Sequence, residues 1–305
     1  MKKFILILLF AVPVSVVLKA QQLPQITQYM ENNYAINPAF AGMYDYYQLN
    51  TTVRNMWVGV PDAPKTTILS IYGKRSENIG IGGSVYSDQA AALSRIGGNV
   101  SYAYHTKLSD QIKISLSLSA GFLQYKIIKD QTNVQNPNDP LFMGGDVIRS
   151  LPDATFGTVV YANRWYAGIS VPQLLANNVD HQDRNVMNSQ DDTNGDGKLD
   201  RHYYIVGAYK YEINPFWTVE PTVLFKSSST TNQFDVGVRG IWDDKLWLGT
   251  SYRSNADISA IAGYTISDRY TIGYSVDMSK SDLGMTHEFV LGIKFLGLQQ
   301  DQLSK

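Results

Sequence analysis

The chain has 305 residues, a net charge of −1 and only 17% charged residues, with 20 Tyr, 11 Phe and 5 Trp among its apolar complement. A balance this close to neutral offers no basic surface for nucleic acid. With no cysteine, disulfides, thiolate metal sites, cysteine nucleophiles and a lipoprotein anchor are all excluded.

Two lysines precede an apolar run from Phe4 to Leu18, and Ala20 stands before Gln21-Gln22. This is the layout of a secretory signal peptide, residues 1–20, cleaved near Ala20. Pro13 and the shortness of the run argue against a membrane anchor. No later segment approaches the ~20 continuous apolar residues of a membrane helix, so a membrane location demands a closed barrel.

Residues 21–44 do not alternate; they are rich in Gln, Asn and Tyr, hold the turn Asn37-Pro38, and read as an N-terminal segment in the periplasm or the lumen. Alternation then begins. Tyr47, Leu49, Val53 and Trp57 take one phase, and Gln48, Asn50, Thr52 and Arg54 the other. Ile114, Leu116, Leu118 and Phe122 oppose Lys113, Ser115, Ser117, Ser119 and Gly121, while Ile96, Val100, Tyr102 and Tyr104 oppose Gly97, Asn99, Ser101 and His105. Phe234, Val236 and Val238 oppose Asp235, Gly237 and Arg239, and Ile272, Tyr274, Val276 and Met278 oppose Thr271, Gly273, Ser275 and Asp277. In the last run, Phe289, Leu291, Ile293 and Phe295 oppose Glu288, Gly292 and Lys294, with Val290 the one apolar residue on the polar phase. Repeated over about ten residues at a time, this is the pattern of transmembrane strands.

About fourteen strands follow, the first beginning near Asp45, the sixth near Asp153, the eighth near His202 and the last near Thr286. Connections such as Ser76-Glu77-Asn78, Asp243-Asp244 and Ser267-Asp268-Arg269 are short, whereas residues 126–152 and 172–201 form long loops on the opposite rim. Outer-membrane barrels put short turns in the periplasm and long loops outside. The expected fold is therefore all-β: an antiparallel outer-membrane barrel over residues 45–295, closed by pairing its last strand with its first, with a tail at 296–305 and both chain ends in the periplasm. A soluble sandwich also alternates, but it does not need the aromatics that recur near strand ends here: Trp57, Tyr86, Trp165, Tyr203, Trp217, Tyr252 and Tyr264.

In the second long loop, Asp192, Asn194, Asp196, Gly197, Lys198 and Asp200 place oxygen donors, a sharp-turn glycine and a backbone carbonyl in calcium-loop spacing. Position twelve, usually a bidentate Glu, is Tyr203. The alternative is an Asn/Asp/Gly-rich turn that needs no metal. Interleaved Arg54, Lys113, Lys210, Glu220, Asp235, Arg239, Arg253, Asp277, Glu288 and Lys294 are expected to pair across a narrow lumen. Four His residues show no nucleophile spacing with Ser, so no enzyme is expected.

Gln28-Tyr29-Met30, Asn32, Tyr34 and Ile36-Asn37-Pro38-Ala39-Phe40-Ala41-Gly42 resemble the N-terminal signature of the PorP/SprF family. Arg54-x-x-Trp57-x-Gly59 with Ala63-Pro64-Lys65-Thr66 resembles its next block, although Met56 and Asp62 stand where the family usually has Gln and Gly. Gly168-Ile169-Ser170-Val171-Pro172 and the closing His287-Glu288 to Lys294-Phe295 are also similar. On these positions the resemblance makes Asn37, Pro38, Gly42, Arg54 and Trp57 the signature residues. It implies an outer-membrane protein of the type IX secretion and gliding machinery in a Gram-negative cell. The implied partners are a large secreted, adhesin-like surface protein with a type IX sorting domain, which the barrel helps to export or retain, and periplasmic type IX components. The alternative is an outer-membrane channel for small solutes.

Overall fold

The computed structural model describes residues 23–128, 146–180, 196–254, 257–279 and 283–296. The expected signal peptide and nearly all of the tail lie outside these residues.

The alternating runs become β1 (Tyr46–Asn55), β2 (Lys65–Ser76), β3 (Ile79–Ala90), β4 (Leu93–Lys107), β5 (Lys113–Ile127), β6 (Val147–Ala162) and β7 (Trp165–Val171). A small hairpin of β8 (Asn178–Asp180) and β9 (Asp196–Lys198) follows in the loop. The barrel resumes with β10 (Tyr203–Tyr209) and β11 (Tyr211–Asn214), one strand interrupted at Lys210, whose N–H donates to the Arg164 carbonyl at 2.6 Å. It continues through β12 (Trp217–Ser227), β13 (Asn232–Trp242), β14 (Leu246–Arg253), β15 (Asp257–Ile266), β16 (Tyr270–Met278) and β17 (Thr286–Leu296). Each barrel strand pairs antiparallel with the next, β7 with β10 and both β10 and β11 with β12, and β1 with β17 closes the ring from Tyr46↔Leu296 to Asn55↔His287. The result is a closed barrel of fourteen antiparallel strands, as expected.

The usual burial pattern is inverted. Leu118 is 58% exposed and Val100 69%, whereas Ser115 and Glu288 are 0% exposed. In water such a surface would aggregate. In hydrocarbon it is the favourable arrangement, because closure pairs every strand and leaves no free edge. The short turns explain how adjacent strands stay in register. Asp243 and Asp244, and likewise Ser267 and Asp268, all have φ near +50°, the two left-handed residues of a type I′ turn that matches strand twist.

Three expectations need correction. First, β5 runs to Ile127 and β6 starts at Val147, so the first long loop is shorter than 126–152 and β6 begins well before Asp153. Pro152 and the run around it hide the strand, yet Pro152 pairs opposite Phe122. Pairing with β7 begins only at Phe156, so among the described residues Pro152 has a strand partner on one side alone, where a proline is tolerated. Second, Tyr86 is no girdle residue: it shares the inward phase of Asp88 and packs against the buried core, with its ring covering Gly97. Tyr203, Trp217, Tyr252 and Tyr264 do face outward. Third, the described chain does not begin and end at one rim. Leu296 lies beside Tyr46 at the short-turn end, but the N-terminal segment crosses the lumen, so Leu23 sits at the long-loop end.

Candidate functional site

Residues 23–45 thread the barrel from one mouth to the other. Two short 3₁₀ turns, Asn33–Ala35 and Pro38–Phe40, keep the segment compact. Ile26, Tyr29, Met30, Ile36, Ala39 and Phe40 are buried against wall residues including Ile68, Val159, Val206, Leu224 and Ile261. The Phe40 ring meets Tyr166 edge-on at 5.0 Å, and Tyr34 stacks on Tyr72 at 4.8 Å. The lumen is therefore filled by an apolar spine inside a polar wall.

Four of the signature residues, Asn37, Pro38, Gly42 and Arg54, hold this plug in place. The Asn37 side chain accepts from the Ala39 N–H at 3.0 Å and caps the second turn, while Pro38 occupies its first position. Its amide also donates to the Thr158 and Ile169 carbonyls, both at 3.1 Å. Gly42 has φ +84°, open to glycine, where the segment swings out towards β1. The wall is notched to match: a Cβ on Gly80 would lie 1.9 Å from the Ala41 carbonyl oxygen, and one on Gly157 2.2 Å from Asn37 Oδ1. His105 completes the lower fastening. Its Nε2–H donates to the Ala41 carbonyl at 2.7 Å, which leaves Nδ1 to accept from the Tyr161 hydroxyl at 2.8 Å.

Near the other mouth the expected lumen charges converge on the plug. Arg54 donates to Glu288 at 2.9 Å, to Asp277 at 2.5 Å and to the Thr27 hydroxyl at 2.9 Å. Glu288 also accepts the backbone N–H groups of Thr27 and Gln28, at 2.9 and 2.8 Å. Thr27 Oγ1 donates to Asp277 at 2.8 Å, and Arg253 bridges Asp235 at 3.1 Å and Asp277 at 3.4 Å. Nearer the short-turn mouth, a second cluster joins Arg239 to Glu220 at 2.5 Å and to Glu31 of the plug. Lys113 and Lys210 instead stay exposed at the short-turn mouth, and Lys294 lies over the Tyr46 ring at 5.4 Å.

Trp57, the remaining signature residue, is left-handed at φ +47° in the outer turn after β1, and its N–H donates to Thr286 Oγ1 at 3.3 Å. Of the expected calcium ligands, Asp192 and Asn194 lie outside the described residues. Asp196 and Lys198 sit in β9, and the Asp200 carbonyl accepts from His202 Nδ1 at 2.9 Å. Among the described residues no group of three or more metal-type side chains converges. His287 faces outward against the Tyr274 hydroxyl at 2.6 Å, and His181 lies outside the described residues.

Each mouth keeps a cavity. The short-turn mouth holds about 350 Å³ beside Tyr44, Asp45, Lys74, Lys113, Arg164 and Lys210. At the long-loop mouth, smaller cavities of about 100 and 40 Å³ flank Leu23 and Pro24. There, burial lowers the His202 imidazole from its ordinary pKa, against the Asp200 carbonyl that favours its cation.

The comparisons bear on both fold and lineage. A family model described as "Type IX secretion system membrane protein PorP/SprF" matches residues 18–293. No curated protein matches the chain. Among solved structures, the CymD monoaromatic hydrocarbon channel is similar at 11% identity and a TM-score of 0.51, covering 87% of this chain and 91% of that one. The toluene transporter TbuX of Ralstonia pickettii is similar at 10% identity and a TM-score of 0.47, over 86% of this chain and 92% of that one. At 11% identity the likeness to CymD speaks to the barrel fold alone.

Proposed function

Since the chain belongs to the PorP/SprF family of type IX secretion system membrane proteins, we propose that it is a non-conducting outer-membrane barrel that supports export or surface retention of a large secreted, adhesin-like protein carrying a type IX sorting domain. The observation that carries this reading is the filled lumen: residues 23–45 occupy it from mouth to mouth, fastened at both ends. A barrel without an open path has its rims and loops left to work with. Among the described residues, the left-handed non-glycine residues of the short-turn rim belong to type I′ turns, whereas those of the outer rim, Trp57, Asp62, Ala91, Gln173 and Ala176, are not paired in that way. Strain of the second kind collects where a surface is shaped for binding.

In this reading the loops between β5 and β6 and between β7 and β10 meet the exported protein, and the cavity at the short-turn mouth faces periplasmic components of the same machinery. Replacing both loops by short turns is expected to leave a folded, membrane-inserted barrel and to release the large surface protein into the medium. Undiminished surface retention in that variant would rule out docking through the loops.

The loop from Asp192 to Asp200 would bind calcium in this setting. Extracellular modules bind at about 10⁻⁴ to 10⁻³ M, so a site one ligand short is still useful outside the cell. Calorimetry on the purified barrel is expected to show one weak calcium site that Asp192→Asn with Asp196→Asn removes. No heat of binding into the millimolar range would exclude it.

A further inference from the structure

We propose that the outer mouth carries a peptide cleft, floored by Leu23 and Pro24, that takes an apolar side chain and a neighbouring carboxylate from an extended segment of the exported partner. The idea rests on the docking reading above and adds to the loop contacts a second contact inside the mouth.

The two outer cavities share Leu23, Pro24 and Tyr204, so they are adjoining subsites of one cleft. The larger, about 100 Å³, lies between the plug and the wall, where Ile26, Ile36, Ile68 and Tyr86 give it an apolar lining. That space suits one aliphatic or aromatic side chain, whose burial from water is favourable. Asp153 and Asn99 also border this cavity, so the anionic end of a ligand is turned away from it.

The smaller subsite, about 40 Å³, is bordered by Lys226, Gln233 and His202. Lys226 is the anomaly among the cations near this mouth. Arg54 and Arg253 each hold at least one carboxylate, whereas no ion pair is formed by Lys226 among the described residues. The ammonium lies 5.6 Å from the centre of the Tyr204 ring, and Asp235 on the adjacent strand is taken by Arg253. A recessed ammonium whose nearest described carboxylate is already held by an arginine favours a carboxylate brought by a ligand. The floor is preorganised, because the Gln25 amide donates to Gln233 at 3.1 Å. Below it the plug stops anything that enters, which fits a chain segment laid into the mouth better than a solute in transit.

The absence of cysteine permits a clean test. Ser229→Cys, exposed beside the cleft, is labelled with an environment-sensitive maleimide dye on the purified full-length barrel. The probes are the capped hexapeptide Ac-Gly-Ser-Leu-Asp-Ser-Gly-NH₂ and its versions with Asp changed to Asn or Leu changed to Gly. The parent peptide is expected to give a saturable signal, and each altered peptide to bind at least about tenfold more weakly. Lys226→Gln should erase the preference for Asp over Asn while keeping that for Leu over Gly, and Lys226→Arg should restore it. No saturable signal, or equal binding of the Asp and Asn peptides, overturns the proposal. The loop-trimmed barrel should bind the parent peptide unchanged. Loss of surface retention on trimming without any peptide binding would therefore reject the cleft and spare the docking reading.

Discussion

In planar bilayers the full-length barrel is expected to be electrically silent, and a variant lacking residues 25–40 to open a large, steady pore. The argument is geometric. Small barrels of about eight strands are filled by their own side chains, whereas those of sixteen to eighteen enclose an aqueous channel. Fourteen strands fall nearer the second case, and here the extra space is taken by the plug. Its removal would strip the apolar spine of Ile26, Tyr29, Ile36 and Phe40 and leave a wall of Ser, Thr and ion-paired residues that water can solvate. Arg54 would keep Asp277 and Glu288, so the wall pairs would survive without the plug. A large conductance from the full-length chain would instead favour the solute-channel reading and remove the observation on which the docking role rests. Asn37→Ala is the milder version: it deletes one cap and two plug-to-wall hydrogen bonds, so brief openings are expected in place of a steady pore.

What could be read in advance divides along a physical line. A barrel strand sees lipid on one face and lumen on the other, so its residues carry the assignment themselves; Ser115, Ser117 and Ser119 against Leu116 and Leu118 needed no knowledge of their neighbours. Closure of β1 on β17 followed because a barrel has no edge to spare. The plug has no such period. Its contacts are made one residue at a time with partners far along the chain, such as Asn37 with Thr158 at a separation of 121 residues and Thr27 with Glu288 at 261. Only local signals survive in such a segment, and the Asn37-Pro38 turn was one of them. Its direction of travel, which puts Leu23 at the outer mouth, depends on those distant partners and left no trace in the sequence. Tyr86 shows a different failure. Its phase matches Asp88 and places it inside, whereas its aromatic character alone suggests a girdle. Where residue type and phase disagree within a strand, the pleat decides.

Arg54→Met is expected to be the most damaging single substitution in the barrel, lowering stability by about 3–5 kcal/mol, the usual cost of removing one partner from a buried charged group. Arg54, Asp277 and Glu288 are each 3% exposed or less, so bulk water does little to screen what remains. Asp277 would still be held by Arg253 at 3.4 Å. Glu288 would keep only the two N–H groups of Thr27 and Gln28, with no positive partner among its hydrogen bonds. The carboxylate most harmed is thus the one that fastens the plug, and the variant should leak current as well as unfold earlier. Urea titration of the detergent-solubilised barrel, followed by tryptophan fluorescence, measures the first effect, and bilayer recording the second. The double variant Arg54→Met with Glu288→Gln separates a charge effect from a packing effect. If the damage comes from an orphaned carboxylate, neutralising it restores much of the lost stability, because a Gln amide can still accept from Thr27 or Gln28 through its oxygen. If the double variant is as unstable as the two single losses added together, the network is not coupled and Arg54 acts as a filler of volume. Restored stability with persistent leakage is the expected pattern: one amide oxygen replaces two carboxylate oxygens, so the wall recovers before the latch does.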